Sequence, residues 1–219
     1  MNFKSKDIIK RIASGISEIM DQSDFIYKKT KNEFIRNINK DYFSFNMGLY
    51  SFGNEYSLNI QLRISNNRIE DLLEKIIGKS HRITLGNTIE RIAKSPDGRK
   101  IINGSMFITL IQEEDIDSAI ETLERYFTTI AKPYFAKYRT LEAIDDILNN
   151  APFEHCPADV GGNFDHRCMK GLIVSRLVDN PQHNHLVSTY DEAIKETMNT
   201  QSIENYYKVR EYLMYNRIK

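Results

Sequence analysis

DYFSFNMGLYSFGNEYSLNIQLRIS, residues 41–65, decides the fold. Phe43, Phe45, Met47 and Leu49 alternate with Ser44, Asn46 and Gly48, while Tyr56, Leu58, Ile60, Leu62 and Ile64 alternate with Ser57, Asn59, Gln61 and Arg63. A period of two puts each apolar set on one face of an extended chain, so both runs read as half-buried strands. Between them, Phe52-Gly53-Asn54-Glu55 has the chemistry of a tight turn. A Thr30-Lys31-Asn32 turn before residues 33–38 marks an earlier hairpin, so the strands form an antiparallel meander with one dry and one wet face.

The dry face needs cover, and the flanking segments supply it. Ile8, Ile9, Ile12, Ile16, Ile19 and Met20 recur at intervals of three and four, which predicts a helix with Ser5 as its cap and Asp7 at its positive end. Ile69, Leu72, Leu73, Ile76 and Ile77 repeat that spacing after Asn67, whose partner Glu70 would complete a capping box, and Gly78 closes the helix. Residues 81–111 return to strand character, with 87–93 unassigned, a turn at Ser95-Pro96-Asp97-Gly98 and a strand over 101–111. The acidic QEEDID, residues 112–117, opens a helix with Ile116, Ile120, Leu123, Phe127 and Ile130 on one face. Pro133 is expected to bend or end it, and Thr140 to cap residues 141–148. After Pro152 the strand signal stops, and three helices follow over 164–178, 185–198 and 202–217. The predicted fold is α+β: an antiparallel β-meander covered by helices over residues 1–150, then a three-helix segment over 151–219.

A chain of 219 residues buries about 70 % of its unfolded surface on folding, enough for a core without disulfides. Thirty basic residues balance thirty acidic ones, so the long-range field that gathers nucleic acid or anionic membrane is absent, and neither is expected as a partner. Charge is uneven along the chain. Residues 1–50 carry nine Lys and Arg against six Asp and Glu, and residues 111–150 carry four against nine, a polarity suited to a protein partner or to a head-to-tail homo-oligomer. The segment MNFKSKDIIKRIASGISEIM lacks the apolar stretch and cleavage site of a secretory signal, no run reaches the length of a membrane span, and two cysteines suit a reducing compartment. The expected location is the cytoplasm.

Both cysteines lie in EHCPADVGGNFDHRC, residues 154–168, and with His155, His166, His183 and His185 they gather four of the five histidines within about thirty residues. A structural zinc site takes four thiolate or imidazole ligands, usually in close pairs. Here the spacing is irregular: His155 and Cys156 are adjacent, and His166 and Cys168 are two apart. These four residues define a metal or thiol-enzyme alternative, with His183 or His185 as an added ligand. The plainer reading packs Cys168 in the core, one turn before Leu172, and leaves no cofactor. Glu113, Glu114 and Asp115 at a helix start complement its dipole, and they also form an acidic face. In the last helix Tyr207 falls with Ile203 and Met214 on a core face, while Tyr212 and Tyr215 point outward, where tyrosines make good interface anchors.

The order of elements resembles an uncharacterised bacterial domain family of unknown function whose members look like cytoplasmic toxin-immunity proteins. The resemblance is carried by FIYKKTKNEFIR (residues 25–36), the meander through Ile64, and DIDSAIETLERYF with KPYFAKYRTLEAI between Asp115 and Ile144. It covers residues 5–150 and transfers no functional residue. It implies a small intracellular protein that works by binding another protein. The residues agree, since no convergent set of acid, base and nucleophile is readable. The expected function is non-catalytic recognition through Glu113, Glu114, Asp115, Tyr212 and Tyr215.

Overall fold

The apolar spacing at the start of the chain folds as α1 (Ser5–Gly15) and α2 (Ser17–Asp21), with Ile8, Ile9, Ile12, Ile16 and Met20 buried. Lys4 rather than Ser5 occupies the cap position, without a side-chain cap, and Asp7 sits in the first turn. The computed structural model describes residues 4–93, 107–150, 160, 162–197 and 199–218. Within them the chain forms two compact units, Met1–Ile64 with Asn87–Ala136, and Ser65–Gly86 with Lys137–Lys219. Both units are discontinuous in sequence, whereas the sequence reading placed one boundary at 150/151.

The first unit holds the meander. Strands β1 (Ile26–Lys28), β2 (Glu33–Ile38), β3 (Asp41–Phe52), β4 (Glu55–Ser65), β5 (Leu85–Thr88) and β6 (Ile108–Leu110) form one sheet in the order β1-β2-β3-β4-β5, with β6 paired to β4. β1 pairs antiparallel with β2, β2 with β3 and β4 with β6. Asn39 and Lys40 both take positive φ in the two-residue loop between Ile38 and Asp41, as a primed hairpin turn requires. Of the strand expected over 101–111, residues 108–110 are β6; 101–106 and the turn at 95–98 lie outside the described residues.

Alternation sorts the sheet faces as the sequence predicts. Phe34 opposes Phe45 in the register, and both are fully buried with Phe43, Met47, Leu58, Ile60, Leu62 and Ile64. The opposite face is not uniformly wet. Ser44 and Glu33 are buried there, Ser44 Oγ donating to Glu33 Oε2 at 2.7 Å, and burial together with the Glu33 carboxylate pushes the Tyr42 phenol up to about 12.

On the buried side, residues 87–93 supply the end of β5 and α4 (Ile89–Ala93), and QEEDID leads into α5 (Asp115–Tyr126). Pro133 does not end the helix. α5 runs into a wider π-helical turn, Phe127–Ala131, and then α6 (Lys132–Lys137), in which Pro133 is the second residue. A wide turn directly ahead of a proline re-spaces carbonyls that would otherwise meet its ring and lack its N–H. This segment aims Phe127 and Phe135 into an aromatic cluster: Phe127 stands edge-on to Phe25 and Phe45 with centroids 5.4 and 5.8 Å apart, and Phe135 lies 5.5 Å from Phe25 and 5.8 Å from Phe43.

The second unit is helical: α3 (Asn67–Ile77), α7 (Leu141–Asn149), α8 (Phe164–Leu177), α9 (His183–Thr197) and α10 (Thr200–Tyr215). The cap of α3 is Asn66, one residue before the predicted start, accepting from Ile69 N–H at 3.3 Å. Glu70 therefore closes no capping box and is fully buried. Gly78 ends α3 in the left-handed conformation at φ 75°, and Thr140 caps α7 by accepting from Ala143 N–H, both as predicted.

α8 is the central helix of this unit, in contact with α3, α7, α9 and α10. Residues 167–175 are all buried, so no single apolar face exists to be read from its sequence. Its Gly171 lets α7 approach closely: a Cβ there would lie 2.5 Å from Asn149 Oδ1, whose own amide donates to Gly171 C=O at 3.0 Å. In α10 the buried residues are Ser202, Asn205, Tyr206, Val209 and Leu213. Tyr206, rather than Tyr207, is the core aromatic, and Met214 is exposed, so the inward face is displaced by one residue from the prediction.

Candidate functional site

The acidic start of α5 is partly consumed by local structure. Glu113 pairs with Arg11, and Asp115 accepts from the N–H groups of Ile111 and Gln112 at 2.7 and 2.9 Å, which holds its carboxyl below the usual range. Glu114 is exposed. In α10, Tyr215 is exposed as expected, while Tyr212 is half-buried, its hydroxyl accepting from Lys75 Nζ at 2.9 Å and its ring lying under the same ammonium. Glu113, Glu114 and Asp115 belong to the first unit, and Tyr212 and Tyr215 to the second.

The His/Cys set is not brought together where it is described. His155 and Cys156 lie outside the described residues. His166 and Cys168 are two residues apart on α8, about 200° around the helix. His166 lines a cavity, whereas Cys168 is fully buried near Tyr206. His183 Nδ1 is hydrogen-bonded with Ser175 Oγ at 2.8 Å, and His185 is exposed. Among the described residues no group of three His, Cys, Asp or Glu is placed to hold a metal ion.

Two other features stand out. The first is on the polar face of the sheet. Strand alternation carries Tyr50 and Phe52 of β3 to that face, 49 % and 60 % exposed, with the Tyr50 ring lying back over Gly48. β6 pairs Ser57 with Thr109, so Phe107 and Ile111, flanking that strand, continue onto the same face at 47 % and 60 % exposure. Ser57 and Glu55 of β4 lie between the two apolar flanks, and Glu114 follows Ile111 closely in sequence. The result is an apolar platform with a small polar floor and acidic residues at one end.

The second is a cavity of about 260 Å³ within the helical unit. The loop after α3 contributes Lys79, Ser80 and His81; α8 contributes Asp165, His166 and Met169; the first turns of α10 contribute Gln201, Ser202 and Asn205. The imidazoles of His81 and His166 lie 5.3 Å apart, tilted by 36°. Asp165 is fully engaged, Oδ2 accepting from Ser202 Oγ at 2.7 Å and Oδ1 from His166 N–H at 2.8 Å. Ser80, on the cavity wall, donates to Glu70 Oε2. Glu70 Oε1 in turn takes Lys170 Nζ at 2.9 Å and Thr84 Oγ1 at 2.7 Å, and Lys170 also donates to Ile83 C=O. This buried ion pair, invisible to sequence reasoning because its members are a hundred residues apart, fixes α3 against α8.

Burial lowers the pKa of His166, with Lys170 and His81 adding to the effect; burial also lowers that of His183, helped by Arg176. A free imidazole titrates at about 6.5, so between that and the lower native value the unfolded chain binds protons that the native protein does not. Stability should therefore fall as pH drops from 7 through that window. Denaturant melts at pH 7.5 and 5.5 should differ less for a His166→Gln/His183→Gln variant than for the natural chain; an equal difference would refute the assignment. No helix among the described residues is long and apolar enough to cross a membrane. Compared with family models, with characterised proteins and with solved structures, the chain finds no match.

Proposed function

We propose that this protein acts by binding another protein without chemistry, in the manner of an immunity-like neutraliser, and that the platform of Tyr50, Phe52, Phe107 and Ile111 is the contact surface. The observation that supports this reading is four large apolar side chains exposed on one sheet face within a single unit. Aromatic and aliphatic anchors of this kind dominate binding energy once water is excluded around them. The exposed carboxylates of Glu55 and Glu114 at one end select a partner that is basic beside an apolar patch.

The test is capture from source cells with the tagged chain and with Phe52→Asp/Ile111→Asp. A basic companion held by the natural chain should bind the variant about thirtyfold or more weakly, the loss typical of central anchors. Its association rate should fall with added salt. A companion retained equally by the variant, or a salt-insensitive self-association of the chain in its place, would overturn the reading.

A further inference from the structure

Residues 79–84, between α3 and β5, form a strap laid against α3 and α8. Gly78 at φ 75° turns the chain off α3, and Arg82 takes φ 52°, a left-handed backbone that is costly in a non-glycine residue. Side chains hold the strap there. Arg82 reaches back to Asp71 at 2.6 Å, Glu74 at 2.9 Å and Asn67 at 2.7 Å, and Ser80 donates to Glu70. Thr84 Oγ1 accepts from Asn66 N–H and donates to Glu70 Oε1, and Lys170 donates to Ile83 C=O. Between these ties His81 faces α8, its imidazole 5.3 Å from that of His166.

The charges around the two rings balance only while both rings are neutral. α3 contributes Glu70, the strap Lys79, and α8 Asp165 and Lys170, two of each sign. Gln201, Ser202 and Asn205, which α10 presents to the same cavity, carry no charge, and Asp71 and Glu74 of α3 are taken by Arg82. We propose that residues 79–84 are an acid-released strap: protonation of His81 and His166 sets two like charges face to face and lifts the strap from α8, uncovering the cavity and the Glu70–Lys170 pair while the rest of the unit stays folded. Asp165 offsets one of the two new charges, and Glu70 is matched by Lys170. Burial holds the His166 imidazole below its ordinary value, with Lys170 and His81 pushing the same way against Asp165 and Glu70. In the open strap the ring meets water, so opening takes up protons as pH falls below about 6.5, and acid favours the open form. Release also lets Arg82 leave the left-handed region.

Amide hydrogen exchange on the full chain, followed residue by residue at pH 7.5 and 5.0 and expressed as protection factors, tests this. Arg82 N–H, bonded to Ser80 Oγ at 2.9 Å, and Asn66 N–H, bonded to Thr84 Oγ1 at 2.8 Å, report the strap. The buried Leu172, Ile173 and Val174 report the core of α8. On acidification the strap amides should lose about tenfold more protection than the core amides. His81→Gln, at an exposed side chain, should cut that excess to about threefold or less and let His166 titrate at a higher pH by NMR, because a like charge is gone. No excess loss over the core, or a His81→Gln variant that keeps the natural exchange response or the natural His166 titration, would each overturn the proposal.

Discussion

Glu70→Ala should lower the unfolding free energy by about 3–5 kcal/mol, one of the two largest single-site losses expected in this protein. Glu70 is fully buried and Lys170 is 3 % exposed. Removing the carboxylate strands an ammonium away from water, and it leaves the hydroxyls of Ser80 and Thr84 without their acceptor. Lys170→Met should also destabilise, through the reciprocal unpaired charge. The diagnostic variant is the double replacement Glu70→Leu/Lys170→Met, which should recover most of the loss, since buried pairs exchange for apolar residues at small cost while broken pairs do not. Denaturant titration of the four proteins closes the cycle. A Glu70→Ala loss below about 1 kcal/mol would mean that water reaches the pair.

Phe127→Ala should cost a similar amount, about 3–5 kcal/mol, for a different reason. Its ring is fully buried at the π-helical turn and touches Phe25 and Phe45 edge-on, so truncation opens a void in the middle of the aromatic cluster. Phe127→Leu keeps most of the volume and should lose markedly less. The check is equilibrium unfolding, with protection of the β3 and β4 amides from hydrogen exchange as the local readout. Equal losses for the two variants would indicate that the surrounding rings do not hold their positions.

What could be read from the sequence was whatever is local. A period of two over residues 41–65 needs no partner to be legible, and neither do the stripes of α1 and α5 or the closing Gly78. The misreadings fall where distant chain decides. Glu70 looked like a capping residue because Asn67 preceded it, but its partners are Lys170, Ser80 and Thr84. α8 has no polar side in the fold, so its period carried no directional information. Ile203 shares a face with Tyr207 and so points the reading of α10 to that side, yet the inward face runs through Ser202, Asn205, Tyr206, Val209 and Leu213, and its first two residues are polar and carry no apolar signal. The platform was missed because exposed Phe and Ile sit at the ends of strands, where alternation is hardest to distinguish from a turn. The cavity was missed because its three walls come from segments around 79, 166 and 202.

The chain passes from one unit to the other at residues 64/65, 86/87 and 136/137. During synthesis α3 therefore leaves the ribosome well before the helix that receives it. At ordinary elongation speeds the roughly one hundred residues from the end of α3 to the end of α8 take on the order of ten seconds to appear. Through that interval Ile69 and Leu73 have no cover and Glu70 no counter-charge from α8, which makes this short segment the stretch on which a chaperone would act in the newborn polypeptide.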